Sequence, residues 1–255
     1  NLVEKIEAIV LSGGSAFGLD AATGVMRYLE ERGFGHETSA AKVPIVPAAI
    51  IYDLYVGNSK VRPGASEGYQ ACLGATDGEV AEGCAGAGTG AAVGKILGIE
   101  QATKSGLGVA SQRIGDIVIA AVVVVNAIGD VIDPKSGQTI AGPRQSDGCF
   151  LSTVEILKRG GLGKKPLSPN TIIGVVATNA QLDKEQANRL AQVARAGIAR
   201  TVDPCHTVYD GDVLFALSMG EAKGNFMTIA AAAAEVVAQA ILRGVLEAES
   251  MGGIP

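Results

Sequence analysis

Ten consecutive residues, Ile117 to Asn126 (IVIAAVVVVN), are apolar up to the last and mostly β-branched. A strand with one wet face alternates; one without alternation is buried on both faces. The chain must therefore build a sheet that other elements cover. Thr171 to Thr178 (TIIGVVAT) has the same character, and Val213 to Ser218, Ala8 to Leu11 and Val46 to Tyr55 read as further strands. Helical patterns lie between them. Asp20 to Arg32 is amphipathic and ended by Gly33, and "SEGYQACLGA" looks helical. Gln181 to Arg200 carries Leu190, Ala191, Val193 and Ala194 on one stripe, and Met227 to Glu247 forms a last helix. "SGGSAFG" reads as a turn and "GCAGAGTG" as a loop, while Ile128 to Pro143 holds the turn signals D-P and K-S-G. Val154 to Leu167 reads as a short helix running into a Gly- and Lys-bearing linker, "KRGGLGKKPLSPN". Strands and helices mixed along the whole chain place it in the α/β or α+β class.

Such a core needs apolar material, and 255 residues that are 47% hydrophobic and 18% charged supply it. A net charge of -5 argues against a nucleic-acid or anionic-membrane surface, which needs clustered Lys and Arg. The four cysteines are scattered without C-x-x-C spacing and there are two histidines, so no metal site is expected. Sparse cysteine reads as a reducing, cytoplasmic setting. No signal peptide is visible. The Ala-rich stretch Met227 to Leu242 is interrupted by Glu235 and Gln239, so it reads as a packed helix rather than a membrane span.

Several motifs fail on context. "GAGTGA", Gly86 to Ala91, fits a loose dinucleotide pattern, but the segment before it is a poor strand. "GTGAAVGK" is no phosphate loop: Thr89 stands where its first glycine belongs, and Ile96 replaces the Ser/Thr that binds magnesium. The serines sit in no G-x-S-x-G elbow, and His206, in "PCHTVYDGD", reads as a structural residue.

Two features carry chemistry. Asp210 and Asp212 in "YDGD" project to one side of an extended segment, where like charges push the pKa values apart; alone, the pair reads as a D-G turn. Thr171 opens a buried strand straight after Pro169-Asn170. A Thr hydroxyl is a weak nucleophile, but a Thr at a chain N-terminus has its own α-amine as base. Producing it requires a cut before the Thr, which a turn at the lip of a rigid strand favours. Locally, Thr171 also reads as an ordinary strand opener.

The stretches "LSGGSAFGLDAATG", "VPAAIIYDL", "GAGTGAAVGK", "VVVVNAIGDVID", "NTIIGVVATNA" and "HTVYDGDVLFA" run through nearly the whole chain. In that order the chain resembles the P1 peptidase family of L-aminopeptidase/D-esterases, β-peptidyl aminopeptidases and nylon-oligomer endohydrolases. The resemblance is greatest to the nylon-oligomer branch, which has a Thr nucleophile and D-G-D.

The resemblance implies an αββα sandwich, one catalytic domain over residues 1–255, and self-cleavage at Asn170-Thr171 into 1–170 and 171–255. It implies Thr171 as nucleophile, Lys95 and Asn126 as catalytic partners, Asp210 and Asp212 as the acidic pair, and Tyr52 as a cleft residue that contacts substrate. It implies an amide hydrolase without metal or organic cofactor, assembled as a homo-oligomer, often a tetramer, and family members carry a segment ahead of the first strand here. An aminopeptidase acting on peptides or amino-acid amides and esters is the second expectation. Weaker ones are an uncleaved non-catalytic relative and acyl transfer of the ornithine acetyltransferase kind.

Overall fold

The computed structural model describes residues 3–160 and 169–255, so most of the expected Gly/Lys linker, 161–168, lies outside the described residues. The chain divides into two compact units, Asn1–Val80 and Ala81–Pro255.

In the first unit, β1 (Val10–Ser12) pairs in parallel with β4 (Ala48–Ile50), and a short hairpin joins β2 (His36–Glu37) to β3 (Lys42–Val43). The strand expected over Val46 to Tyr55 is only three residues long. Its chain leaves the pairing at a turn, Val56 N–H to Asp53 O, while the Asp53 carboxylate accepts the Gly14 N–H at 2.8 Å. "SGGSAFG" is not a simple turn either, since Ser15–Asp20 winds into a 3-10 helix. It leads into α1 (Ala21–Glu30), which packs on α2 (Ala65–Leu73). Gly24 and Gly68 make that contact possible: a Cβ on either would lie within 2 Å of a backbone oxygen of the facing helix.

The second unit holds the main sheet, in the order β13-β11-β8-β7. Before it come β5 (Ala92–Val93) and β6 (Thr103–Lys104), an antiparallel pair. Next are β7 (Leu107–Ile114) and β8 (Ile117–Asn126), a hairpin closed at Gly115-Asp116. A small sheet of β9 (Asp130–Ile132), β10 (Thr139–Ala141) and β12 (Val202–Asp203) lies beyond. α3 (Thr153–Lys158) precedes β11 (Thr171–Ala180). β11 runs antiparallel to β8 and parallel to β13 (Val213–Ala222).

The helix expected over Gln181 to Arg200 is two: α4 (Lys184–Ala194) and α5 (Ala196–Thr201). Arg195 between them keeps right-handed dihedral angles, so the apolar stripe reads through the junction unbroken. Together with α6 (Phe226–Leu246) they cover one face of the sheet. Ile119, Ala121, Val123, Val125, Ile172 and Val176 interlock there with Val236, Val237, Ala240 and Ile241. Among the described residues α6 alone is long and apolar enough to cross a membrane, and 67% of that stretch is buried inside the protein.

Burial on both faces, expected for β8 and β11, holds at one end only. Val124 and Ile173, paired in register, are fully buried although they face away from the helices. Farther along, Ala120, Val122, Val175 and Ala177 are half-buried. The doubly buried end is the one that carries Asn126 and Thr171.

Asp130 in β9 is 3% exposed, and its carboxylate accepts the Thr153 N–H at 2.9 Å and the Thr153 hydroxyl, holding the start of α3. Burial pushes its carboxyl up to about 6, against the opposing pull of the Thr153 bonds. A folded-state pKa above the unfolded one stabilises the fold at low pH, and that stability is lost as pH rises from near 4 through 6. The loss is on the order of 3 kcal/mol. Chemical denaturation at stepped pH should show that fall in the wild type and not in Asp130→Asn. Parallel curves for the two proteins would refute it.

Candidate active site

The antiparallel register of β8 and β11 sets the first residue of one opposite the last of the other, Thr171 opposite Asn126. On its other side β11 continues past its own end: Asn170 bridges to Asp210 in parallel. Asn170 N–H donates to Tyr209 O at 3.0 Å, and Gly211 N–H donates to Asn170 O at 2.9 Å. Residues 210–212 therefore run alongside 170–172, an offset of forty that β13 keeps along its first half. The D-G-D segment is thus an extension of β13 as well as a turn.

Thr171 is 8% exposed, and its hydroxyl donates to Asn170 O at 2.5 Å. The carbonyl that precedes Thr171 thus receives two donors, a backbone N–H and the Thr171 hydroxyl. Polarisation by Gly211 N–H is the arrangement that stabilises negative charge growing on that oxygen.

Lys95 arrives through a backbone constraint. Gly94 has φ +67°, and a Cβ there would lie 2.3 Å from the Gly142 carbonyl carbon and 2.4 Å from Pro143 N, so only glycine fits. The next residue turns inward: Lys95 is 5% exposed, with Nζ donating to Asn126 O at 2.9 Å and Asn126 Oδ1 at 2.7 Å. Ala92 N–H donates to the same Oδ1 at 3.2 Å. Two donors on Oδ1 fix which way round the Asn126 amide sits and turn its Nδ2 away from Lys95.

The two aspartates differ. Asp212 has a nearly buried side chain, with Oδ1 accepting Ile172 N–H at 2.8 Å and Oδ2 lying 2.8 Å from His206 Nδ1. Asp210 turns back into its own loop, where its Oδ2 accepts Thr207 N–H at 2.8 Å and the Thr207 hydroxyl at 2.7 Å. Burial raises the Asp212 carboxyl above the ordinary aspartate range; Ile172 N–H opposes this, the Asp210 charge adds to it, and His206 opposes it.

The structure therefore brings Lys95, Asn126, Asn170, Thr171, Asp210 and Asp212 together in the second unit. Tyr52 belongs to the first unit, where its ring lies 5.5 Å from that of Tyr55. Among the described residues no group of His, Cys, Asp and Glu could hold a metal ion.

Two residues were not legible beforehand. His206, read as structural, contacts Asp212 directly. Lys104 is 3% exposed and its Nζ donates to Gly88 O, Ala91 O and Ser105 O, clamping the glycine-rich loop that leads to Lys95. In the sequence Lys104 carries no signal beyond being a lysine, whose side chain is usually solvated.

All of the chain, residues 1–255, matches peptidase family S58. The chain belongs to that family. Peptidase family S58 is the P1 family of L-aminopeptidase/D-Ala-esterase-like proteins, a family of amide-bond hydrolases. An uncharacterized aminopeptidase of Mycobacterium leprae, ML1167, is 40% identical over 284 residues, covering 100% of this chain and 75% of that protein. The 6-aminohexanoate-oligomer endohydrolase of Paenarthrobacter ureafaciens is 30% identical, covering 94% of this chain and 71% of that protein. Among solved structures, the L-aminopeptidase D-Ala-esterase/amidase of Ochrobactrum anthropi, a variant of the Ntn-hydrolase fold, superposes with a TM-score of 0.66 at 22% identity. That alignment covers 93% of this chain and 65% of the other. The fold of this S58 member is thus of the Ntn-hydrolase kind, in the mixed α/β class that its sequence implied.

Proposed function

We propose that this S58 member is an N-terminal-Thr amidohydrolase that matures by cutting itself at Asn170-Thr171. The observation that carries the reading is the Thr171 hydroxyl 2.5 Å from the Asn170 carbonyl oxygen, with Gly211 N–H on the same oxygen. In maturation, Thr171 Oγ attacks the Asn170 carbonyl carbon. The new C–O bond replaces the C–N bond, and the hydroxyl proton ends on the Thr171 nitrogen. Water then hydrolyses the ester, leaving the Asn170 carboxylate and a free Thr171 α-amine. During the attack, Gly211 N–H holds the oxyanion, a contact worth roughly 3–4 kcal/mol where similar donors have been removed.

In turnover the same Oγ attacks a substrate amide. The α-amine or Lys95 accepts its proton, the Asn126 amide donates to the oxyanion, and Asp210 and Asp212 hold the Thr171 ammonium. The leaving amine takes the proton, and water releases the acid from the acyl-enzyme. Two polypeptides from one gene would remain one catalytic domain, since β8, β11 and β13 lie on both sides of the cut. The reading includes assembly of cleaved units into a homo-oligomer and a cytoplasmic setting, which four free cysteines suit.

For substrate, the reading takes linear amide oligomers such as 6-aminohexanoate oligomers, on the strength of Thr171 with D-G-D. The identity to proteins named aminopeptidases, 40% for the Mycobacterium leprae relative, favours a second reading in which a substrate ammonium is anchored. One panel separates them. Purified protein is offered N-acetylated and cyclic 6-aminohexanoate oligomers, free-amine oligomers, α- and β-peptides and amino-acid p-nitroanilides. Cleavage of the blocked and cyclic oligomers is expected. If those are untouched while free-amine p-nitroanilides turn over quickly, the aminopeptidase reading replaces the first. No cleavage of any amide removes both.

A further inference from the structure

We propose that His206 is a positioning residue for Asp212, orienting its carboxylate toward the nucleophile strand. The proposal rests on the reading of Thr171 as nucleophile.

His206 holds φ +53°, a left-handed conformation that a side chain with a Cβ adopts at a cost. The conformation places Nδ1 2.8 Å from Asp212 Oδ2. The other carboxylate oxygen accepts the N–H of Ile172, the residue that follows Thr171. Asp212 is thereby clamped at both oxygens, from β11 on one side and from the loop before the D-G-D segment on the other. One clamp is a backbone N–H and cannot vary; the other is an imidazole, 29% exposed against 6% for the aspartate it holds.

The groups that act on Asp212 are few. Ile172 N–H reaches it from β11, Asp210 acts from its own loop, and His206 acts from the preceding loop, where the Cys205 thiol also lies within its field. After a cut, the Thr171 ammonium joins them. Lys95 is engaged by Asn126, across the strand from Thr171. Burial and Asp210 push Asp212 toward its neutral form, and Ile172 N–H and His206 oppose them. Loss of the imidazole donor therefore shifts Asp212 toward the acid form and frees Oδ2 to rotate.

Two replacements separate donor from backbone. His206→Gly accepts the left-handed backbone freely and has no donor. His206→Asn also tolerates that conformation, and its Nδ2 is attached to Cγ as the imidazole Nδ1 is. Fragment formation and p-nitroanilide or oligoamide hydrolysis are followed from pH 4 to pH 9, with melting curves as the folding control. The Gly variant is expected to lose about tenfold or more in rate, with the acid limb of its pH profile about one unit higher, and Asn to restore most of both. A Gly variant whose acid limb coincides with the wild type overturns the proposal.

A second measurement needs no activity. The chain has two histidines, His36 and His206, so 15N-histidine spectra of the uncleavable Thr171→Ala protein are readily assigned. The neutral His206 ring is expected to carry its proton on Nδ1 and to change to Nε2 in Thr171→Ala/Asp212→Ala. A ring protonated on Nε2 in both overturns the proposal. If the wild-type protein neither cuts itself nor hydrolyses any amide, the Thr171 reading has failed, and this spectrum still decides whether His206 holds Asp212.

Discussion

Thr171→Ala is expected to remain one chain and to lose hydrolysis by at least about 10⁴-fold, as removal of a nucleophile does elsewhere. The wild type should run as two pieces on denaturing electrophoresis, and the smaller should begin Thr-Ile-Ile-Gly on Edman degradation. The expectation follows from one oxygen. Asn170 O receives the Thr171 hydroxyl and Gly211 N–H, and Asn170 N–H, in the preceding peptide group, is tied to Tyr209 O. The residue that carries the scissile carbonyl is therefore held at both its N–H and its C=O while the nucleophile touches it. Deletion of the hydroxyl leaves that ladder in place, so the Ala variant should fold. Thr171→Ser keeps the hydroxyl and should still yield two pieces. A fully active protein that stays whole, or an Ala variant that still divides after Asn170, would end the mechanism.

Asp212→Asn is expected to abolish maturation and with it turnover, while Asp210→Asn slows both by about tenfold. Asn at position 212 can still accept Ile172 N–H through Oδ1, and its Nδ2 can donate to His206 Nδ1 when the neutral ring carries its proton on Nε2, so shape survives and charge does not. At position 210 the carboxylate is occupied with Thr207, and its effect on Asp212 is repulsion. The two variants should therefore differ in pH dependence. Because the Asp212 carboxyl sits above the ordinary aspartate range, activity that needs it ionised rises with pH on a limb displaced upward. Asp210→Asn removes a neighbouring negative charge and should move that limb down, even as the rate falls. The checks are the extent of cleavage by intact mass and rates of oligoamide hydrolysis at stepped pH. Wild-type rates across the range for both variants would reduce the D-G-D segment to a turn.

Most of the second unit's secondary structure was legible because it rests on local periodicity. IVIAAVVVVN reads as a buried strand, and β8 occupies those ten residues. α6 fills nearly the span its apolar pattern marks, capped by Asn225, whose side chain accepts from Met227 and Thr228 N–H. β7 carries no such signal. Its residues LGVASQRI are half polar, and it forms because β8 offers a full edge eight residues long. The β4 strand was overestimated because Ile51 to Tyr55 continue the apolar composition while Asp53 binds Gly14 and turns the chain.

The sequence by itself determined which chemical groups are present: a Thr at a strand mouth, an Asn closing a buried strand, a Lys after a glycine-rich loop and two Asp around a glycine. The family motif named those residues, but their arrangement is a matter of register. Thr171 meets Asn126, and residues 170–172 meet 210–212, through ladders between segments some forty residues or more apart. A shift of one residue in either ladder would turn the same side chains to the opposite faces. Lys104 under the loop and His206 against Asp212 were decided at the same level. Local sequence leaves a lysine or a histidine free to be solvated, and only the packed chain removes the water and supplies the partner.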